Sequence, residues 1–406
     1  MCLKILLTLL ATVLLCESLH VNDIVDRRDA FMATANVGVA LSVLTAKKDE
    51  KQGLERTIVP MKNPPPILLQ RSLTIPRVGY SFFKTAPEQA ERCANLALLV
   101  GVTHFDMATA YNSNTMIAPA LQRYFNEGRK GLEKYMRNIE KPELVDMLLA
   151  TNRRSGNRGG SKGRKTLFLS HKLSNDEQST DRVKVRQSVI SAIESIGSVG
   201  YLDMVSIHSP LTDSSRRLST YGTLLDAQRE GLLRAVGVCN YGLGPLQEIA
   251  DAGLPLPAVN QLELSPFNAH RNVVDWCNAN GVAVSCAAWS RLSSADGPTK
   301  QWDVLSQIAQ NKGMTKAQIL VRWSLQNGFL CVPRSGCGSK LERVAIAENS
   351  YGGVNSRTNE LDILTMEEMK ILDGLDVGYK AGRLGRNDGW KDSDVTGPNW
   401  DPIDFL

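Results

Sequence analysis

The sequence predicts an α/β fold closed as a (β/α)8 TIM barrel, and three observations carry that reading. Eight short apolar runs recur between about residues 75 and 335. They alternate with segments whose apolar residues return every three or four positions, the period of a helix that covers one face. Such alternation suits a parallel sheet clothed by helices, either closed as a barrel or open and doubly wound. An open dinucleotide-binding sheet should carry a glycine-rich turn after an early strand. No GxGxxG follows any of the runs, and the glycine-rich stretch Gly156–Gly163 precedes a strand instead.

In chain order the strand-like runs are Pro76–Ser81, Thr103–Met107, Thr166–Leu173, Leu202–His208, Leu233–Asn240, Ala258–Leu264, Val282–Trp289 and Phe329–Ser335. The helix-like segments include Gln89–Leu99, Val183–Ile196, Tyr221–Glu230, Pro245–Ala252, Asn272–Ala279 and Lys316–Gln326. An insertion spans about 126–165. Its first part, 126–150, is helix-like and charged. Its second, 152–165, holds six Lys/Arg, four Gly and no acid, a composition that buries too little to order itself and reads as a loop. Ser350–Glu360 reads as a surface loop. The tail, 378–406, lacks periodicity but is long enough to fold over a barrel mouth.

Residues 1–46 read as a targeting leader outside the fold. Lys4 and the apolar run Ile5–Leu15 make a signal peptide of about 1–19, too short for a comfortable membrane span, with an uncleaved anchor as the alternative. Arg27-Arg28 and Phe31 then precede the mild apolar stretch Met32–Ala46, which resembles a twin-arginine signal over 26–46. Two signals in series suggest the secretory pathway and then the thylakoid lumen of a secondary-plastid alga; plain secretion is the alternative. Residues 47–74 read as a linker, and 75–377 as the barrel.

The 406 residues are 43% hydrophobic and 22% charged, enough to bury a large core. A net charge of +5 gives no argument for nucleic acid or for an anionic membrane surface. Eight cysteines show no CxxC pair and no zinc spacing, and they read as structural thiols. No metal site is expected, and the chain is expected to be a monomer or a weak oligomer.

Four side chains end, or closely follow, a predicted strand: Asp106, Tyr111, Lys172 and His208. In a barrel all strand C-termini open onto one face, so residues far apart in sequence can converge there. An ammonium beside a phenol favours phenolate and should lower the tyrosine pKa, while an aspartate holds the lysine. A histidine beside them can donate to a carbonyl oxygen. Together these are parts for protonating an oxygen while hydride reaches its carbon. His104, two residues before Asp106, shares its side of the strand and reads as structural; His171 should face the helices.

The motifs HFDMATAY, LFLSHKL, YLDMVSIHSP, LLRAVGVCNY, PAVNQLEL and LCVPRS stand in the order and spacing of the aldo-keto reductase family, which the chain resembles over about Ile75–Val377. The resemblance implies NADPH as cofactor and a small-molecule carbonyl as substrate. It makes Asp106, Tyr111, Lys172 and His208 the catalytic tetrad, with Tyr111 as general acid. It places Cys239, Asn240 and Gln261 on the nicotinamide carboxamide and Trp289 against the nicotinamide ring. Arg334 and Ser335 would meet the 2′-phosphate, with Arg343 a second candidate, and Glu348 and Asn349 would hold the adenine. The chain departs from the pattern at Asn114, where the family has Glu, at Ala118 for Gly, at Cys239 for Ser, and at Ser209 where a substrate-lining Trp is common. The alternative function is an NADPH-binding redox sensor with slow turnover. A secreted barrel hydrolase would need two carboxylates facing each other across the mouth, and Asp106 has no obvious acidic partner among the four strand-end side chains.

Overall fold

The computed structural model describes residues 67–69, 73–83, 85–154, 163–197, 199–211, 213–287, 289, 298–334 and 363–379. They all fall in one of the chain's two compact units, Pro60–Leu406. The leader, the core of the basic loop, the loop at 350–360, the tail from residue 380, and Ser335, Arg343, Glu348 and Asn349 lie outside them.

The described chain begins with an antiparallel hairpin, β1 (Ile67–Leu68) and β2 (Thr74–Ile75), inside the stretch read as linker. Eight parallel strands follow in a single sheet: β3 (Tyr80–Ser81), β4 (His104–Ala108), β5 (Phe168–Leu173), β6 (Leu202–Ile207), β7 (Leu233–Cys239), β8 (Val259–Glu263), β9 (Ala283–Ala287) and β10 (Leu330–Cys331). Each matches one of the eight apolar runs to within a residue at its C-terminal end or sits inside it. They lie side by side in chain order. The first strand also meets the last: Val78 pairs with Cys331, the Gly79 amide donates to Cys331 O at 2.8 Å, and the Ser81 amide donates to Pro333 O at 3.1 Å. These bonds join the two edges of the curled sheet.

The helices cover its outer face. They are α1 (Pro87–Val100), α2 (Asn114–Ile139), α3 (Pro142–Arg154), α4 (Arg182–Ser195), α5 (Ser214–Arg229), α6 (Leu243–Asp251), α7 (Arg271–Ala279), α8 (Thr299–Lys312), α9 (Lys316–Gln326) and α10 (Met366–Asp373). Their starts follow capping chemistry. Asp181 accepts from the Val183 and Lys184 amides, and Thr315 with Gln318 forms a reciprocal capping box on α9. The stretch 126–150 falls largely on α2 and α3, as its helix-like pattern predicts. Residue 126 lies within α2, which bends at Gly128, where φ is +66°, a conformation a side chain would resist. Among the described residues no helix is long and apolar enough to cross a membrane.

One end of the sheet is apolar and the other polar, and this division places the site. Leu69, Leu73 and Ile75 of the hairpin segment pack with Phe168, Met204, Ala235, Ala258, Val259 and Leu330, most of them near the N-terminal starts of their strands. Each large side chain buried there contributes on the order of 1.5–3 kcal/mol. The opposite, C-terminal end carries the ionisable residues. Cys93, buried in α1, is disulfide-bonded, contrary to the reading of all eight as thiols. Cys239, Cys277, Cys286 and Cys331 are free and buried.

Candidate active site at the strand C-termini

Parallel pairing sets Ser81 beside Asp106, and Ala108 beside Lys172. Asp106 and Lys172 both point into the sheet's interior and are each 2% exposed. Lys172 Nζ donates to Asp106 Oδ1 at 2.5 Å. The same oxygen accepts from Gln261 Nε2 at 3.1 Å, and Oδ2 accepts from Ser81 Oγ at 3.0 Å. Burial works to raise the Asp106 pKa, but the Lys172 charge and the bonds from Lys172 and Gln261 outweigh it and hold the carboxyl below its usual value. Burial works to lower the Lys172 pKa, and the facing carboxylate reverses the sign. Each ion keeps the other charged in a place where either alone would be costly.

Tyr111 closes the short 3-10 turn Thr109–Tyr111 that follows β4, and Asn112 ends that turn at φ +55°, which Asn tolerates well. Its ring centroid lies 4.9 Å from Lys172 Nζ, close enough for the ammonium charge to favour the phenolate. The His208 ring stands edge-to-face at 6.1 Å on one side, and the Phe83 ring at 5.4 Å on another. One expectation fails here. Lys172 does pull the phenol pKa down, but desolvation is larger and leaves it raised to about 12. Burial, then the Lys172 charge, depresses His208 to about 3, so its imidazole is neutral.

Around this group stand Cys239, Asn240, Gln261 and Trp289. Cys239 pairs with Gln261 across β7 and β8. Burial pushes its thiol pKa to about 12, so it is a protonated thiol and not a nucleophile. Asn240 adopts φ +59° and its Nδ2 donates to His208 O at 3.1 Å. Trp289 donates its indole N–H to Leu264 O at 2.7 Å, which fixes the plane of the ring. Arg334 follows β10, half-buried, and interacts electrostatically with Tyr80 of β3.

His104 and His171 serve the wall around the site. His104 Nε2 lies 3.1 Å from Ser170 Oγ, and Nδ1 lies 3.3 Å from Pro76 O. His171 points outward, as its place beside Lys172 in an alternating strand requires. It meets Thr109 of the tyrosine turn and Asn114 of α2. Sequence reasoning passed over Ser81 and Thr109. Ser81 carries the same signal as Asp106, a polar residue at the end of an apolar run; Thr109 gives none, because its partner is 62 residues away.

The family model described as "Aldo/keto reductase family" matches residues 79–349. Among curated relatives, the methylglyoxal reductase DkgA of Salmonella typhimurium is 27% identical over 289 residues, covering 71% of this chain and 88% of the relative. An uncharacterized oxidoreductase of Saccharomyces cerevisiae is 25% identical over 313 residues, covering 76% of this chain and 93% of the relative. Among solved structures, a Bombyx mori aldo-keto reductase in complex with NADP superposes with a TM-score of 0.59 at 21% identity, covering 79% of this chain and 95% of that one. An aldo/keto reductase from Brucella melitensis gives 0.57 at 21% identity, covering 77% and 99%. The likeness to solved structures concerns the α/β fold, and the match of the family model spans most of the chain. The protein belongs to the aldo/keto reductase family.

Proposed function

We propose that the protein reduces an aldehyde or ketone to an alcohol with NADPH, Tyr111 being the general acid. The observation that carries this reading is the buried Asp106–Lys172 pair with its ammonium 4.9 Å from the centre of the Tyr111 ring. NADPH, when bound, supplies the hydride that the carbonyl carbon accepts. Tyr111 gives its proton to the carbonyl oxygen. A phenol near 12 is a weak acid toward a ketone, but the oxygen becomes far more basic as it gains alkoxide character. Lys172 stabilises the phenolate left behind, and Asp106 fixes Lys172 in place. Neutral His208 keeps an N–H with which to hold and orient the carbonyl oxygen.

The residues present suit the cofactor. The Gln261 carboxamide uses one donor on Asp106, and the Asn240 carboxamide one on His208 O, which leaves each a further donor and an acceptor for an amide. Trp289, its N–H occupied, offers a flat face to a nicotinamide. Arg334 is a half-buried cation after the last strand, suited to a phosphate monoester. Ser335, Arg343, Glu348 and Asn349 complete the proposed site from the sequence side. Residues 1–46 serve in this reading as a leader into the secretory pathway.

The test is NADPH oxidation followed by absorbance against aldehydes, quinones and ketosteroids, with methylglyoxal included because relatives carry that activity in their names. Tyr111→Phe should bind NADPH normally and lose most turnover. A Tyr111→Phe enzyme of full activity would overturn the assignment.

A further inference from the structure

A polar chain on the outer wall of the sheet, running from half-buried Ser195 through buried Asn114 and His171 to exposed Thr109, joins the strand of Lys172 to the turn of Tyr111. His171 immediately precedes Lys172, is fully buried, and faces away from the site. Its Nε2 lies 3.0 Å from Thr109 Oγ1, two residues before Tyr111. Its Nδ1 lies 3.4 Å from Asn114 Nδ2, at the start of α2. With Asn114 Nδ2 placed toward both Ser195 and His171, the proton directions follow from the far end of the chain. Ser195 donates its hydroxyl to Ala192 O at 2.8 Å, so its oxygen accepts from Asn114 Nδ2 at 3.2 Å. The second N–H of that amide then meets a lone pair on His171 Nδ1, which leaves the imidazole proton on Nε2, aimed at Thr109.

Burial, then the Lys172 charge, holds His171 near 3, so nothing reverses this polarity in the neutral range. The family's glutamate at position 114 would accept from Nδ1 and turn the ring's proton the other way. Asparagine there and histidine at 171 therefore form a matched pair in this chain.

We infer that His171, oriented by Asn114, is a positioning residue that locks the Tyr111 turn to the strand carrying Lys172 through the Thr109 hydroxyl. The inference rests on Tyr111 being the acid. Lys172 and Tyr111 sit on separate segments, and only their mutual placement brings ammonium to phenol. A slip of the turn by about 1 Å suffices to cost on the order of a hundredfold in rate.

The experiment compares Thr109→Val, Thr109→Ser and Tyr111→Phe with the unmodified protein, measuring kcat, carbonyl KM and NADPH affinity by quenching of tryptophan fluorescence. Thr109 is solvent-exposed, so neither change threatens folding, which thermal melting checks. Thr109→Val should lower kcat roughly ten- to hundredfold with KM and NADPH affinity within about twofold, and Thr109→Ser should recover kcat to within about threefold. Nitrogen NMR of labelled histidine should show His171 neutral with its proton on Nε2. Full kcat in Thr109→Val, or equal loss in Thr109→Ser, or a proton on Nδ1, would overturn the positioning role alone, provided Tyr111→Phe is inactive. An active Tyr111→Phe would overturn the acid assignment and this role with it.

Discussion

Lys172 Nζ meets Asp106 Oδ1 at 2.5 Å with both side chains 2% exposed, which makes the two residues a unit for stability as well as for chemistry. Removing one partner strands a charge out of water. Lys172→Met should therefore destabilise the protein by about 3–5 kcal/mol, read from urea unfolding. The double change Lys172→Met with Asp106→Leu should recover most of that loss, because no buried charge remains, while staying inactive. If the double variant is as unstable as the single one, packing and not charge is what the pair supplies.

The raised Tyr111 pKa of about 12 and the depressed His208 value of about 3 set the pH behaviour. Between those values Tyr111 keeps its proton and His208 stays neutral, the forms needed for reduction. The kcat for reduction should vary by less than about threefold between about pH 5.5 and about pH 9.5. Alcohol oxidation needs the phenolate and should rise with pH over the same interval. A descending limb for reduction centred near neutrality would show that the phenol titrates far below the value its burial dictates.

The curled eight-stranded parallel sheet was legible because its strands are short apolar runs and its helices repeat at their own period, so local pattern and tertiary role agree. The meeting of Asp106, Lys172, Tyr111 and His208 at one end of the sheet was legible too, since Asp106, Lys172 and His208 interrupt or end such runs. Two kinds of feature were not. The hairpin at Ile67–Leu68 and Thr74–Ile75 has strands of two residues, too short for any periodicity, and only its packing against Phe168 and Leu330 gives it a purpose. The sign of the Tyr111 shift was misread because proximity of Lys172 is inferable from motif order, whereas the depth of burial that outweighs it is a property of the assembled mouth.

Three imidazoles, His104 and His171 buried and His208 half-buried, link stability to acid. His104 is depressed to about 4, and His171 and His208 to about 3, with burial the largest cause at each. Unfolded, each would titrate near 6.5, so below that pH the unfolded chain binds more protons than the folded one. Stability is then complete above about pH 6.5 and is lost as pH falls toward 4, at up to about 1.4 kcal/mol per pH unit for each histidine. Urea midpoints at pH 7, 6 and 5 should fall progressively, and His208→Gln should reduce the slope by about a third. A midpoint independent of pH in this interval would mean that these rings are solvated or charged in the folded state.

Arg334 stands half-buried after β10, where burial disfavours its charge and Tyr80 partly offsets that. A guanidinium in such a setting gains from a dianionic monoester more than from a neutral ribose hydroxyl. Arg334→Ala should weaken NADPH by about tenfold or more and leave NADH affinity within about twofold, as measured by fluorescence titration. Equal weakening of both nucleotides would remove Arg334 from the 2′-phosphate and leave it a packing residue of the barrel end.

Gly79 lies in the β3 segment beside His104, and the absence of a side chain there is what admits the imidazole to the interior. A Cβ added at Gly79 would stand 2.7 Å from His104 Nδ1, 2.9 Å from its Cγ and 3.1 Å from its backbone oxygen. The ring cannot simply swing aside, because Nε2 is held by Ser170 and Nδ1 lies against Pro76 O. Gly79→Ala should therefore cost about 1–3 kcal/mol of stability by overpacking. In a His104→Ala background Gly79→Ala should cost much less, since the methyl then enters the space the ring vacated and meets only the backbone oxygen. A Gly79→Ala protein as stable as the parent would show that the strand yields by a few tenths of an ångström, and that His104 is held less firmly beneath Asp106 than its hydrogen bonds require.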